Sequence, residues 1–454
     1  MFFSSFYSPL RRQYNPSMRK KLRRIWILIP VLLVVGIGVY YLPPVHSRLA
    51  WRLDYLRTRI AYFFNPPDEA VFQPEQQVDF ESVLATTRAE FAQTLTPQAP
   101  LGTSTPPAGP TPAPTITATP LPAIAKLDGV KYENQRGHLN YCGPANFSMA
   151  LTFWGWDGNR DVIGKAIKPS DKDKNVMPYE LQDFVTDNVP GMSSVIRYGG
   201  DIDTLKHLVS AGFPVVAEKG YYERDYNGKM GWLGHYQFVT GYDDANGVVI
   251  AQDTYLDGPN FPIPYDEFMA GWRSFNYVFV VVYPSERENE VLSALGPLAD
   301  ADNAARIALS RAETEGQRLS GNDRFFAYFN AGTSHVALRQ YADATYSYDY
   351  AFQLYAGLSD DDSIRPYRIM WYQTGPYFAY YYSNRFSDVI NLATTTLEDT
   401  ISEPVLEESL IWRGRAYYMA GQTQKAIDDY RAALKVHPNW PPAVQALRDL
   451  GIQP

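Results

Sequence analysis

The sequence YCGPAN at residues 141–146 decides the fold, and it contains the only cysteine of the 454-residue chain. A lone cysteine is usually a small buried apolar residue, so its neighbours must indicate any chemistry. Proline suits the first turn of a helix, where no backbone N–H partner is needed, and an apolar run follows at once. We therefore expect Cys142 at or just before the N-terminus of a helix. There the helix dipole and the free N–H groups favour the thiolate, which is the nucleophilic form.

Two β-rich runs, at residues 234–242 and 248–253, flank the turn-forming residues 243–247 and predict a β-hairpin. With the turn centred near Ala245, the numbers of facing residues sum to about 490. His235 at the start of one strand then lies close to Asp253 at the end of the other, with Cβ atoms roughly 5–8 Å apart. The strand pattern therefore predicts an imidazole beside a carboxylate.

A nucleophilic thiol needs a base, and the base needs a partner that fixes its tautomer. Cys142, His235 and Asp253 are of the required types. Gln135 is a candidate donor to the developing oxyanion, together with the backbone N–H of Cys142, although an ordinary loop residue is an equally good interpretation. His138 is the alternative base, but it precedes the helix on a loop.

The order of these motifs resembles the papain-like peptidases of the bacteriocin-processing (double-glycine leader peptidase, C39-like) family. The resemblance covers about residues 130–284. It implies that Cys142 is the nucleophile, His235 the general base and acid, Asp253 the orienting group and Gln135 the oxyanion donor. Two features depart from the family pattern: the spacing from Gln135 to Cys142 is seven where six is common, and Thr254 stands where many relatives have proline. A single apolar span excludes a fused exporter within this chain.

The first 125 residues predict an anchor and a spacer. Residues 1–24 carry seven basic and no acidic residues, and the uncharged apolar residues 25–42 are long enough to span a bilayer. We expect a basic cytoplasmic tail followed by a transmembrane helix, with a cleaved signal peptide as the alternative. Residues 43–92 predict a juxtamembrane, amphipathic helical stalk, and the Thr/Pro-rich residues 93–125 predict an extended linker.

The C-terminal residues 286–454 predict helical repeats. The last unit has the spacing of a tetratricopeptide repeat, at Leu410, Gly414, Tyr417, Gly421, Ala426, Tyr430, Ala433 and Pro438. A first unit fits at Gly332, Tyr341, Ala344, Tyr348 and Ala351, and a degenerate middle unit at Tyr377, Phe386, Val389 and Ala393. Three such units form a stable stack with a concave surface for a peptide or partner protein. A plain packing module is the alternative.

The composition excludes several other classes. The net charge of −8 is spread along the chain and indicates no nucleic-acid surface. One cysteine excludes a disulfide framework and a multi-cysteine zinc site. Residues 171–175 imitate a calcium loop, but Val176 replaces the required glycine and Gln182 the bidentate glutamate, so we expect a solvated surface loop. No cofactor and no metal ion are expected.

Together these observations predict a multidomain protein. An α+β papain-like peptidase domain at 126–285 is followed by an all-α tetratricopeptide-like domain at 286–454, behind an N-terminal transmembrane helix. The expected function is that of a membrane-anchored, extracytoplasmic cysteine peptidase acting on a peptide or protein substrate. The alternatives are a peptide-binding scaffold or receptor that does not hydrolyse its ligand, and an amide acyltransferase that uses the same three residues.

Overall fold

The computed structural model describes most of the chain from residue 120 onward. The described ranges are 71–75, 120–138, 140–170, 173–224, 230–255, 258–358, 365–398 and 406–454, with Leu32, 35–42, Val45, Leu53, Leu56 and Ile60. Most of the predicted tail, anchor, stalk and linker therefore lies outside the described residues. Within the part of the chain that is described, no helix has both the length and the apolar content needed to cross a bilayer.

The described part of the α+β domain contains an antiparallel sheet of seven strands. They are β1 (Ile124–Lys126), β2 (Met192–Arg197), β3 (Val215–Arg224), β4 (Met230–Asp243), β5 (Val248–Gln252), β6 (Phe261–Pro264) and β7 (Phe279–Pro284). The strand order is β2-β7-β3-β4-β5-β6, and β1 pairs with β4 on a separate branch. The long central strand β4 is the one that carries His235.

Among the described residues of this domain, six α-helices cover the sheet on both faces. They are α1 (Cys142–Phe153), α2 (Arg160–Ile167), α3 (Pro178–Asn188), α4 (Ile202–Ser210), α5 (Tyr265–Arg273) and α6 (Glu288–Leu295). Side chains alternate along β7, so Val280 and Val282 enter the core with α1 to α3, while Val281 enters the core with α4 to α6. The predicted helix start at Cys142 is confirmed, since this residue is the first of α1.

The last residues of the predicted linker belong to the sheet. Ile124 and Ala125 pair with Asp243 and Tyr242 of β4. The hydroxyl of Tyr242 also donates to the carbonyl of Pro122 at 2.6 Å. The sheet therefore includes residues just before position 126, because backbone pairing holds residues that composition assigned to the linker.

The C-terminal half contains helices and no strand among its described residues. Its helices are α7 (Ala301–Arg318), α8 (Gly321–Ala337), α9 (Tyr341–Ala356), α10 (Ile369–Tyr372), α11 (Gly375–Tyr382), α12 (Phe386–Glu398), α13 (Glu407–Met419), α14 (Thr423–Val436) and α15 (Pro441–Asp449). The three predicted units correspond to the pairs α8/α9, α11/α12 and α13/α14. A Cβ atom at Gly332 would lie 2.8 Å from the ring of Tyr348, and one at Gly414 would lie 2.5 Å from that of Tyr430. The glycines are thus needed where the helices approach most closely.

A short piece of the predicted stalk is not helical. Residues 71–75 have no regular secondary structure, and Phe72 is buried in the core of the repeat helices. Its ring lies 5.0 Å from that of Phe352 and 6.1 Å from that of Tyr380. Leu53, Leu56 and Ile60 of the same predicted stalk are helical and expose their side chains. The stalk prediction therefore fails at 71–75, where aromatic packing replaces helical hydrogen bonding.

Candidate active site

Cys142 is held at the start of α1 by contacts with the central strand. The side chain of Asn146, one turn later, donates from Nδ2 to the carbonyl of Cys142 at 3.0 Å and to that of Tyr236 at 2.7 Å. Tyr236 directly follows His235 on β4. Asn146 therefore ties the helix start that carries the thiol to the strand that carries the imidazole.

His235 and Asp253 form a buried pair. Nε2 of His235 lies 3.2 Å from Oδ2 of Asp253, and each side chain is 6% exposed. In the hairpin, Phe238 faces Gln252 and Val239 faces Ala251, which confirms the predicted register. Asp253 lies one residue beyond the end of β5. The hairpin therefore brings the two side chains into contact diagonally across its open end.

The pKa values of Cys142 and His235 indicate that both side chains are charged near neutral pH. Burial by itself raises the pKa of the Cys142 thiol. Hydrogen bonding to His235, the charge of its ring and backbone hydrogen bonds together outweigh burial and hold this pKa below its ordinary value. Burial lowers the pKa of His235, yet its interactions with Asp253 and Cys142 raise it to about 10. Because Nε2 of His235 contacts Asp253, Nδ1 is the ring nitrogen that can exchange a proton with the thiol. Near neutral pH this arrangement favours a thiolate beside an imidazolium ion.

Gln237 is a site residue that the sequence analysis missed. Its Nε2 donates to Oδ2 of Asp253 at 2.9 Å, and the backbone N–H of Tyr255 donates to Oδ1 at 2.8 Å. Burial raises the pKa of Asp253, but the bonds from His235, Gln237 and Tyr255 hold it below its ordinary value. The register arithmetic that paired His235 with Asp253 also places residue 237 opposite residue 253, so this signal was present in the sequence.

Thr254, which stands where many relatives have proline, orients Gln135. The hydroxyl of Thr254 donates to Oε1 of Gln135 at 2.8 Å, and Nδ2 of Asn146 donates to the same hydroxyl at 3.3 Å. The backbone N–H of Gln135 also donates to the carbonyl of Thr254 at 2.9 Å. Since Oε1 accepts from Thr254, Nε2 is the donor end of the Gln135 side chain. Thr254 thus supplies a positioning hydroxyl that proline lacks.

The alternative base, His138, makes its contacts elsewhere. Its Nε2 lies 3.4 Å from Oδ1 of Asp161 in α2, and its ring stacks on that of Tyr141 at 4.4 Å. The side chain is one-third exposed. The structure therefore brings His235, and not His138, beside the thiol.

A small cavity adjoins the thiol, and two of its walls were not expected. Its lining includes Cys142, Asn175, Val176, Glu218, Gly234 and Tyr372. Glu218 is 3% exposed, and burial followed by the nearby thiolate raises its pKa well above the ordinary range, which favours its neutral form. The only signal for it in the sequence is an acidic residue directly after the apolar residues 215–217 of β3. Tyr372 belongs to α10, so the helical half of the chain closes one side of the cavity.

The interpretation of residues 171–175 as a solvated loop is wrong for two of them. Asp173 is 2% exposed and Asn175 is 5% exposed. The side chain of Asn175 donates to the carbonyl of Trp371 in α10, 196 positions later in the chain. The loop is buried because the helical half packs against it. No local sequence pattern predicts this contact.

Two family models match parts of this chain. Residues 127–280 match the family model described as Peptidase C39 like family, and residues 407–440 match the tetratricopeptide repeat. A solved structure named as a C39-like peptidase from Bacillus anthracis is 18% identical and has a TM-score of 0.29, with 35% of this chain and 97% of that chain covered. No curated protein matches this chain. The first matched range holds Cys142, His235 and Asp253.

Proposed function

We propose that this chain, which carries a C39-like peptidase domain followed by a tetratricopeptide repeat, is a cysteine peptidase that hydrolyses peptide bonds. The observation that carries the proposal is the position of His235. Its ring lies 3.2 Å from the Asp253 carboxylate, and its proximity lowers the pKa of the Cys142 thiol. A nucleophile, a proton carrier and an orienting carboxylate thus meet in one buried site.

In the proposed reaction, Cys142 and His235 take part in two steps: formation of a thioester and its hydrolysis by water. The Cys142 thiolate attacks the substrate carbonyl carbon and forms a C–S bond, and the His235 imidazolium gives its proton to the leaving amine as the C–N bond breaks. A water molecule then attacks the thioester carbon, the neutral imidazole takes its proton, and the C–S bond breaks. Nε2 of Gln135 and the backbone N–H of Cys142 are the proposed donors to the oxyanion in both steps. Asp253 keeps the ring oriented throughout.

Digestion of an unbiased peptide library tests this proposal. We expect product pairs whose masses sum to the substrate mass plus one water. Products that carry an added amine in place of water would instead indicate acyl transfer by the same residues. Peptides that are retained but never cut would indicate a binding scaffold and would contradict the proposed peptidase.

We propose further that the repeats bind a substrate or partner protein and that the chain is anchored in a membrane. The match of residues 407–440 to the tetratricopeptide repeat supports the first role, because stacks of such repeats form concave binding surfaces. The apolar residues 25–42 and the basic residues 1–24 support an anchor with a cytoplasmic N-terminus and with extracytoplasmic catalytic and repeat domains.

The single cysteine is itself a probe of this topology. A membrane-impermeant maleimide added to intact cells is expected to label Cys142, because the proposed orientation exposes that domain outside the cytoplasm. The label is located by mass spectrometry. A matched control carries Cys142→Ala with Ser17→Cys in the basic tail, and it should be labelled only after lysis. Labelling of Cys142 only after lysis would overturn the proposed orientation.

Removing the hydroxyl of Thr254 is expected to reduce hydrolysis. Thr254→Val keeps the shape of the side chain but frees Oε1 of Gln135, so the proposed oxyanion donor loses its orientation. A net loss of one hydrogen bond corresponds to a fall in kcat/KM of about tenfold. Steady-state kinetics on a peptide identified from the library measure the change. Thr254→Ser, which restores the hydroxyl, should recover the rate; a Val variant as active as wild type would refute the positioning role.

A further inference from the structure

Four buried carboxylates meet where α3 packs on the last repeat unit. Asp173, Glu180, Glu407 and Glu408 are 2%, 6%, 1% and 4% exposed. His437, directly after α14, lies among them with its Nδ1 3.0 Å from Oε1 of Glu407. We propose that Glu180, Glu407 and His437 bind a divalent cation of the zinc type. This cation would fasten the last repeat to the α+β domain.

The three side chains have the geometry of a ligand set. Each offers one ligand atom, and these atoms all lie within 4.8 Å of one another. Zinc binds histidine nitrogen and carboxylate oxygen at about 2.0–2.2 Å, so the ligand atoms of a tetrahedral site lie about 3.4 Å apart. Glu180 has one carboxylate oxygen committed, since Oε2 accepts from the backbone N–H of Met177 at 2.8 Å. Its other oxygen, Oε1, is therefore the one available as a ligand.

The orientation of His437 suits a metal ligand. The backbone carbonyl of Ala166 lies near its ring. Since Nδ1 faces Glu407, a proton on Nε2 leaves the lone pair of Nδ1 directed at the carboxylate. Two acceptor atoms this close share either a proton or a cation, and the proposed cation would take this place. A backbone carbonyl on the second ring nitrogen is the usual support of a metal-bound histidine.

Buried oxygen atoms in the cluster lack partners. Among the described residues, neither Oε2 of Glu407 nor Oε2 of Glu408 has a hydrogen-bond partner. The buried ammonium group of Lys168 donates instead to the backbone carbonyls of Ser170 and Asp173. Four carboxyl groups are therefore buried together, and a buried polar atom without a partner is costly. A divalent cation would hold the carboxylates of Glu180 and Glu407 ionised and would give the Glu407 side chain the partner it lacks.

The donor types favour one class of cation. One imidazole nitrogen with two carboxylate oxygens suits zinc and similar transition metals, whereas magnesium and calcium prefer sites made of oxygen alone. Glu180 lies in the first turn of α3, while Glu407 begins α13. The ligands are thus far apart in sequence and have no motif spacing, which explains why the sequence indicated no metal.

Zinc titration of the metal-free, full-length chain by calorimetry tests the proposal. The titration is run in a Cys142→Ala background, so that the thiolate cannot bind the ion. We expect one equivalent to bind and the midpoint of thermal unfolding to rise. Glu407→Gln, Glu180→Gln and His437→Ala should each weaken binding on the order of 100-fold and remove the thermal shift. His207→Ala is the matched control, since His207 is a histidine on α4 outside the cluster, and it should change neither.

Several outcomes would overturn this proposal. These are the absence of stoichiometric binding, equal zinc affinity in the cluster variants and the control, or displacement of zinc by calcium or magnesium at equal concentration. Circular dichroism establishes that each variant is folded. If His437→Ala does not fold, the two Glu→Gln variants decide the question, because they keep the side-chain shape while removing the charge.

Discussion

Replacing Cys142 by alanine is expected to abolish peptide hydrolysis, with a fall in kcat of at least about 10⁴-fold. The reason is that every proposed step forms or breaks a bond to its sulfur, and no second cysteine exists in the chain. Loss of all product masses in the library digest is the measurement. The substitution removes one atom from a half-buried position, so the fold should be retained.

Two controls make this result decisive. The thermal unfolding midpoint of Cys142→Ala should stay close to that of wild type, which shows that loss of activity is not loss of structure. The variant should also still bind peptides that wild type cuts, because the cavity walls formed by Glu218 and Tyr372 are unchanged. Undiminished cleavage by Cys142→Ala would show that another group performs the chemistry and would end the proposed mechanism.

Replacing His235 by alanine is expected to lower kcat/KM by about 10²- to 10⁴-fold, the range for loss of a general acid and base. The variant should also shift the pH dependence of thiol alkylation. In wild type the lowered pKa keeps Cys142 ionised at pH values below the ordinary thiol pKa, and its alkylation slows as the pH falls through this lowered value. Without His235 only the backbone hydrogen bonds of Tyr236 and Gly143 oppose burial, so the thiol pKa should rise and less thiolate should be present at pH 7.

The rate of iodoacetamide adduct formation on Cys142, followed by mass between pH 5 and pH 10, measures this shift. His138→Ala is the matched control, because His138 contacts Asp161 and should leave the profile unchanged. In wild type, peptide hydrolysis should decline as the imidazolium loses its proton near a pKa of about 10. Identical profiles for the two histidine variants would mean that His235 does not act on the thiol.

Local sequence patterns predicted the parts of the site that depend on short-range structure. Pro144 after the cysteine predicted the helix start, and the turn at 243–247 predicted the register that joins His235 to Asp253. The same register contained Gln237, which was overlooked. The sequence showed Thr254 only as a departure from a family pattern. Its hydroxyl contact with Gln135 spans 119 positions, and neither segment alone predicts it.

The sequence by itself determined the α+β and repeat architecture, the helix that begins at Cys142 and the pairing of His235 with Asp253. These follow from capping, strand alternation and turn chemistry, which act over a few residues. Only the tertiary structure decided that Tyr372 closes the thiol cavity, that Asp173 is buried, and that Glu180 meets Glu407 and His437. These contacts arise from packing the repeats on the α+β domain, and such packing depends on the shapes of whole surfaces that no local pattern encodes.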